Sequence, residues 1–452
     1  MNNKWYKIII LVFIMGAFSA CEENLEVTPG SVLDGSSGLK TKQDLEGALN
    51  GVYSALSSAN IFAARLPITA DLYAGTLSHT GTFPSFAQIA NRNILQDNTD
   101  LRAMWAQMYV GINRANTVIA AAPGISDPSF NANNAIGEAR FLRAYNYLNL
   151  LLLFGGSNEG FNKGNGNGVP IFTTPTLTAE EAAPKARSSE AEVWALILED
   201  LNFGIQNMND NNGIGRVNKR VARALKARVH LYRNEWAEAE AEANEVITKG
   251  GYSLVPTASY ADIWLKENTS ESIWEYQFDA VTSGSNAFFY YPTSLGGRNE
   301  VNASAGLRDA HEANDIRRAV NYTTTPAART QKYTRVSGED NFTVIRLAEM
   351  YLIRAEAAAQ LNKGDAARAD LNIVRKRAGL ADATAQSTEE LIDAILKERR
   401  IEFAHEGLYW YDLRRLNRVS AIGITQPFRA LWPIPERELQ VSGGVITQNV
   451  GY

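Results

Sequence analysis

Apolar side chains return every three or four residues through much of the chain, the spacing of one helix face turned toward a core. Leu45, Leu49, Val52, Tyr53 and Leu56 set the pattern first. The same period predicts helices over about 99–121, 134–154, 189–207, 217–233, 236–248, 344–361, 365–377 and 389–405. In the run 134–154, Phe141, Leu142, Tyr145, Leu148, Leu152 and Leu153 put apolar groups nearly all round the axis, which predicts a central helix. Gly155-Gly156 stops that helix. Ser157 to Gly168 then reads as a flexible Asn/Gly loop that a core would not accept, without the alternating acidic ligands of a calcium loop.

Two stretches of about 33 residues read as helical hairpins. Val217 to Arg233 turns through Asn234-Glu235 into Trp236 to Thr248, and Val344 to Leu361 turns through Asn362-Lys363-Gly364 into Asp365 to Arg377. Ala222, Ala224 and Ala227 come before Ala237, Ala239 and Ala243 in the first, and Ala348, Ala355 and Ala358 before Ala366, Ala367 and Ala369 in the second. Small residues on both sides let two helices approach closely, as in tetratricopeptide repeats. The two hairpins are too far apart in the chain to be a tandem array. Between them Ser272 to Phe278 alternates like a strand, and Gly284 to Glu300 is an aromatic, glycine-bearing loop. The predicted architecture is one mainly helical domain over 41–452, with a large irregular insertion at about 250–343.

The N-terminus changes the picture. Lys4 and Lys7 precede an apolar run from Ile8 to Phe18, then Ser19, Ala20 and the sole cysteine, Cys21. As a helix the run spans roughly 16 Å, too short for a bilayer core of about 30 Å, and its anatomy is that of a signal peptide over residues 1–20. Phe18-Ser19-Ala20-Cys21 resembles the bacterial lipobox, with Phe18 where leucine is usual. Acylation of Cys21, palmitate included, would leave the rest of the chain without a thiol and residues 21–40 as a lipidated tether rich in Gly, Ser and acidic groups. No later stretch approaches eighteen consecutive apolar residues, so the body is not predicted to span a membrane. With 44 basic and 49 acidic residues the formal charge is −5, which argues against a nucleic-acid partner. Four histidines and one cysteine leave few candidate ligands for a zinc site, no Walker loop, dinucleotide fingerprint or Ser-His-Asp spacing is present, and no metal or cofactor is predicted.

Several blocks in order carry a family resemblance. They are Leu45-Glu-Gly-Ala-Leu-Asn-Gly-Val-Tyr53, Gly111-Ile-Asn-Arg-Ala-Asn-Thr-Val-Ile119, Glu138-Ala-Arg-Phe-Leu-Arg-Ala-Tyr145 and Val169-Pro170-Ile171. Further on come Ala224-Leu-Lys-Ala-Arg-Val-His-Leu-Tyr232, Arg346-Leu-Ala-Glu-Met-Tyr-Leu-Ile-Arg-Ala-Glu-Ala357, Trp432-Pro-Ile-Pro435 and Thr447-Gln-Asn-Val-Gly-Tyr452. Most specific is Glu398-Arg-Arg-Ile-Glu-Phe-Ala-His-Glu-Gly-Leu-Tyr-Trp-Tyr-Asp-Leu-Arg-Arg415. Together they resemble the SusD/RagB outer-membrane lipoproteins of nutrient uptake. The resemblance implies four tetratricopeptide-like helix pairs supporting an irregular, loop-rich half with a few short strands. It implies a surface-exposed, lipid-anchored, non-catalytic protein of the outer membrane that captures oligosaccharides of a polysaccharide-utilisation system. A SusC-like TonB-dependent transporter would receive them. A peptide-binding or other nutrient-binding member is the alternative, ahead of a scaffold or an unrecognised glycoside hydrolase.

The block 398–415 has a chemistry of its own. Glu398, Glu402 and Glu406 are spaced by four, and close carboxyl pairs run glycoside hydrolysis. Arg399, Arg400, Arg414 and Arg415 are near enough to pair with Glu402, Glu406 or Asp412, which would lower the carboxyl pKa values and make the block a structural network. His405 reads as a packing or hydrogen-bonding residue, Gly407 as a tight turn and Trp410 as core. For ligand binding, Phe288, Phe289, Tyr290 and Tyr291 cannot all face one core from a strand. One or two are expected to offer a flat face to sugar C–H groups, with Tyr290 and Tyr291 the leading pair and Arg298 and Asn299 donating hydrogen bonds to hydroxyls. The family resemblance implies a second wall from the segment after the first helix, at Tyr73, His79, Phe83 and Phe86.

Overall fold

The computed structural model describes residues 38–61, 64–325 and 327–452. The predicted signal segment, Cys21 and most of the predicted tether lie outside the described residues. The principal helices are α1 (Lys42–Leu56), α2 (Arg65–Ala74), α3 (Pro84–Ala90), α4 (Thr99–Ala121), α5 (Ala132–Phe154), α6 (Glu190–Asn207) and α7 (Lys219–Tyr232). There follow α8 (Trp236–Lys249), α9 (Asn286–Tyr290), α10 (Leu347–Gln360), α11 (Gly364–Arg377), α12 (Thr388–Glu402) and α13 (Tyr409–Arg415). Side-chain caps set several starts. Thr41 and Asp44, Ser189 and Glu192, and Ser387 and Glu390 form reciprocal capping boxes, each satisfying backbone N–H groups that a helix start leaves unpaired. Asn98 and Asn131 cap α4 and α5 through their side-chain oxygens.

The helices pack in a chain: α1 on α4, α4 on α5, α5 on α6, α6 on α7, α7 on α8, α8 on α10, α10 on α11 and α11 on α12. The two alanine-rich hairpins, distant in sequence, are therefore neighbours, joined by the contact of α8 with α10. Helix α5 is buried from Phe141 to Phe154 without a break, as a central helix requires. Its Arg143 forks onto Asp200 of α6 at 2.8 Å through both Nε and Nη2, a bidentate pair that a helix hydrophobic all round needs in order to bury a charge.

Among the described residues four short strands complete the fold. β1 (Leu77–His79) pairs antiparallel with β3 (Val301–Ala303), and β2 (Ser272–Tyr276) with β4 (Phe342–Arg346). The strand expected at 272–278 is β2. Its partner β4 takes residues 344–346 out of the predicted helix, which begins instead at Leu347. The β-branched Thr343, Val344 and Ile345 favour the ladder over the helix.

The Ser157–Gly168 segment differs from expectation. Phe161 is fully buried, 6.1 Å from Trp194 and 6.5 Å from Tyr232, beneath the Arg414 guanidinium. Glu190 of α6 accepts from Asn162 N and Trp194 Nε1. One aromatic and one carboxylate thus anchor the segment to the core while residues 162–165 stay exposed, and Gly160, Gly166 and Gly168 pass where a side chain would meet backbone or buried groups.

Helix α12 ends at Glu402, not at 405, because His405 and Gly407 take left-handed φ values of 69° and 77°. At Gly407 a Cβ would lie 2.6 Å from Pro67 Cα of α2, so only glycine fits that contact. The Gly407 N–H donates to buried Asp71, also on α2. Burial pushes the Asp71 carboxyl up to about 7, against the pull of the Gly407 N–H and the Lys332 charge. A carboxyl held above its unfolded value favours the fold below pH 3.8 and loses that contribution as pH rises through about 7. Asp71→Asn keeps the acceptor without the charge. Its stability should match wild type near pH 4 and then gain by no more than about 1.4 kcal/mol per pH unit until about pH 7. Urea unfolding across pH 4–8 measures this; a difference independent of pH would contradict it.

Candidate functional site

The β1–β3 ribbon brings together the two segments that sequence reasoning named as walls of one pocket. Leu77 lies opposite Ala303 and His79 opposite Val301. At its end the chain turns at Thr80–Gly81, whose N–H groups both donate to the Glu300 carbonyl, and enters α3 through Phe83. A Cβ on Gly81 would lie 2.7 Å from Glu300 Cα, so this approach requires glycine.

Phe83, Phe86 and Phe289 form a cluster with ring centroids 5.6–6.0 Å apart, and Phe288 lies edge-on to Phe289 at 5.6 Å. Phe86 and Phe289 are buried; Phe83 and Phe288 are half-exposed. The Arg298 guanidinium lies 4.3 Å from the Phe83 centroid, and that of Arg65 lies 5.0–5.5 Å from Phe83, Phe86 and Phe289. Beside Phe83 opens a cleft of about 560 Å³ lined by Arg65, Ser85, Gln88, Asp97 and Asp100 among others.

One buried carboxylate organises this corner. Glu300 Oε2 accepts from Thr82 N at 2.8 Å, Phe83 N at 3.0 Å and His79 Nε2 at 3.4 Å, and Oε1 accepts from Arg298 Nε at 2.9 Å. Burial alone would raise its pKa, but the Phe83 N–H, Arg298, the Thr82 N–H and His79 outweigh it and hold the group below its ordinary value. Sequence reasoning missed Glu300 and Arg65. Glu300 follows Arg298-Asn299 directly, and an acid two residues from an arginine was its one available signal.

The predicted residues divide by burial. His79, Phe83, Phe288, Arg298 and Asn299 retain exposure at this corner, Arg298 most of all with 44% of its side chain open. Asn299 sits at φ 55° in the turn that leads into Glu300. Phe86 and Phe289 form the layer behind them. Tyr73 is a core residue whose hydroxyl donates to the Arg429 carbonyl and whose ring meets Trp410 and Trp432 edge-on. Tyr290 is fully buried against Tyr333 and His405. Tyr291 is 7% exposed beneath the Arg329 guanidinium. The alternation argued for Phe288 to Tyr291 does not apply, because Asn286–Tyr290 is helical and turns Phe289 and Tyr290 inward together.

The charged block is buried and paired: Asp412 takes two of the local arginines expected for it, whereas Glu402 and Glu406 take partners from elsewhere in the chain. Glu402 meets Arg317 at 3.0 Å, Arg346 at 2.5 Å and Arg377. Glu398 meets Arg317 and Arg375, and Glu406 meets Lys332 and Arg346. Of the local arginines, Arg399 and Arg415 hold Asp412, while Arg414 donates to the carbonyls of Leu152 and Gly155. Burial would raise Glu402, but Arg377, Arg346 and Arg317 bring it far below its usual range, whereas burial prevails at Glu398 and raises it. His405 is buried, its Nε2 2.9 Å from the Asn321 carbonyl, and burial with the Lys332 charge lowers it to about 3. With Glu398 2% and Glu402 0% exposed, no substrate reaches these carboxylates. Among the described residues no group of three or more His, Cys, Asp or Glu side chains is placed to hold a metal ion.

Two family models match the chain. Residues 316–452 match the SusD family, and residues 23–231 match a family described as starch-binding and associating with the outer membrane. SusD-like protein P38 of Formosa agariphila is 26% identical over 99% of this chain and 100% of its own length. A SusD superfamily protein from Bacteroides thetaiotaomicron superposes with a TM-score of 0.78 at 25% identity, over 90% of this chain and 99% of its own. A laminarin-binding SusD-like protein superposes with a TM-score of 0.75 at 24% identity, over 91% of this chain and all of its own.

Proposed function

We propose that this chain, matched by SusD-type family models over residues 316–452 and 23–231, is a SusD-family protein that captures oligosaccharides at the Phe83–Phe288 corner and delivers them to a SusC-like TonB-dependent transporter. The observation that carries this reading is the meeting of half-exposed aromatic rings with Arg298, His79 and Asn299 at one open corner. Flat apolar faces suit sugar C–H groups, and the flanking amide, imidazole and guanidinium groups suit hydroxyls. Arg298 and Glu300 neutralise each other, which favours a ligand of low net charge. The buried, arginine-paired state of Glu398 and Glu402 supports binding without catalysis. Among the described residues no helix is long and apolar enough to cross a membrane, and attachment to the outer membrane, facing outward, is assigned to acylated Cys21.

The family description and the fold neighbour supply the first probes, soluble starch and laminarin, within a panel of soluble polysaccharides run by affinity electrophoresis. Wild type should be retarded by at least one of them. Phe83→Ala removes the ring on which Arg298 lies and should weaken that interaction about five-fold or more in a protein that is still folded at the assay temperature. Retardation by none of the polysaccharides, with binding to peptides instead, would replace the glycan reading by the peptide one. Undiminished affinity in Phe83→Ala would move the site elsewhere.

A further inference from the structure

We propose that Glu300 is a positioning residue that presets the corner for its ligand by holding Arg298 over Phe83 and fixing the Thr80–Phe83 turn. The inference rests on the glycan reading of that corner. Its side chain is 1% exposed, so it touches no ligand itself. Among the described residues every polar contact of that side chain goes to a residue of the corner: the N–H groups of Thr82 and Phe83, the hydroxyl of Thr82, the ring of His79 and the Nε of Arg298. Its backbone does the same work, taking the Phe289 carbonyl on its N–H and the Thr80 and Gly81 N–H groups on its carbonyl. Apart from the Phe83 ring beneath it, Arg298 is a long side chain with 44% of its surface open to solvent. Freed of the carboxylate it would populate many rotamers, and ordering it would then be charged to each binding event.

The two carboxylate oxygens have separate duties, and this gives the inference its test. Oε2 takes both N–H groups of the turn and the His79 ring, whereas Oε1 takes Arg298 Nε at 2.9 Å and, at 3.4 Å, the Thr82 hydroxyl, which can accept as well as donate. In Glu300→Gln the amide oxygen can occupy the Oε2 place and keep the Thr82 and Phe83 N–H groups, but its NH₂ then confronts the Arg298 Nε–H, donor against donor. Glu300→Gln should therefore release Arg298 alone, and Glu300→Ala should release both.

Hydrogen–deuterium exchange of the 77–90 segment reads the turn in the absence of any glycan. Calorimetric titration reads binding, with laminarin or soluble starch, whichever retards wild type more strongly. Protection of the segment should persist in Glu300→Gln and be lost in Glu300→Ala. Affinity should fall about ten-fold in Glu300→Gln, and that loss should vanish when the substitution is made in an Arg298→Ala background. A loss of equal size in the Arg298→Ala background, or unchanged affinity in Glu300→Gln, overturns the role through Arg298. If wild type binds no polysaccharide, the glycan reading fails and exchange decides alone: equal protection in wild type and Glu300→Ala overturns the proposal, and lost protection in the variant upholds the preset turn.

Discussion

Trp410→Ala should lower stability by about 3–5 kcal/mol, the cost of emptying a fully packed aromatic site. The indole is wholly buried in α13, where that helix lies on α2, and its ring meets Tyr73 edge-on at 4.6 Å. Tyr73 in turn meets Trp432 at 5.4 Å, so one deletion unsupports a three-ring stack tying α2, α13 and the C-terminal segment. Among the described residues the indole N–H has no hydrogen-bond partner. Trp410→Phe, which keeps part of the ring and loses no bond, should cost clearly less than the alanine variant. Urea unfolding of the three proteins checks the order. An alanine variant as stable as wild type but unable to bind its glycan would make Trp410 a ligand platform instead.

The helices were legible where one period runs unbroken and a polar cap closes it. For α4 the predicted 99–121 coincides with the observed span, because Asn98 caps its start and Pro123 lies just past its end. Residues 344–346 were misread because the apolar spacing of Val344 and Ile345 satisfies a helix as readily as a strand. Only the partner strand β2, about 70 residues earlier, decides between them. The same limit explains Phe161: a single aromatic among glycines and asparagines reveals no core until Trp194, Tyr232 and Arg414 arrive from three other parts of the chain.

The candidate site was legible as composition and not as geometry. Aromatic residues at 83–86 and 288–291, with Arg298 and Asn299, name both segments that the β1–β3 ribbon joins. Which rings face outward depends on the helical turn at Asn286–Tyr290, and that turn sends Tyr290 to Tyr333 and His405. Tyr73 was misplaced for a related reason, since an aromatic near a helix end looks alike from sequence whether Trp410 or solvent lies against it. Glu300 is silent in the sequence because its role consists of partners brought from residues 79–83.

Glu402→Ala should be as damaging as the loss of Trp410, about 3–5 kcal/mol, because it strands buried charge. Among the described residues Glu402 is the one carboxylate shared by Arg317, Arg346 and Arg377, which come from the segment after β3, from β4 and from the end of α11. These guanidinium groups retain Asp315, Glu398, Glu271 and Glu406, yet the cluster loses its central negative charge where water cannot replace it. Glu402→Gln, nearly equal in volume, should suffer most of the same loss and so separate charge from packing. The pH dependence fixes the sign. A carboxyl held below its unfolded value, about 4.3, stabilises the fold fully above that pH and loses its contribution as pH falls toward the folded value. The gap between wild type and Glu402→Gln should therefore be widest at neutral pH and close in acid, and a gap that widens in acid would refute the assignment. Lys332 donates to the Glu402 carbonyl and to Glu406, and the Tyr333 hydroxyl donates to His405, against which Tyr290 packs. Tyr290 ends the short helix that carries Phe288 and Phe289. The ionic core thus underlies the aromatic corner, and Glu402→Gln should also loosen that corner, seen as faster hydrogen exchange over 286–300 at temperatures where the rest of the fold is intact.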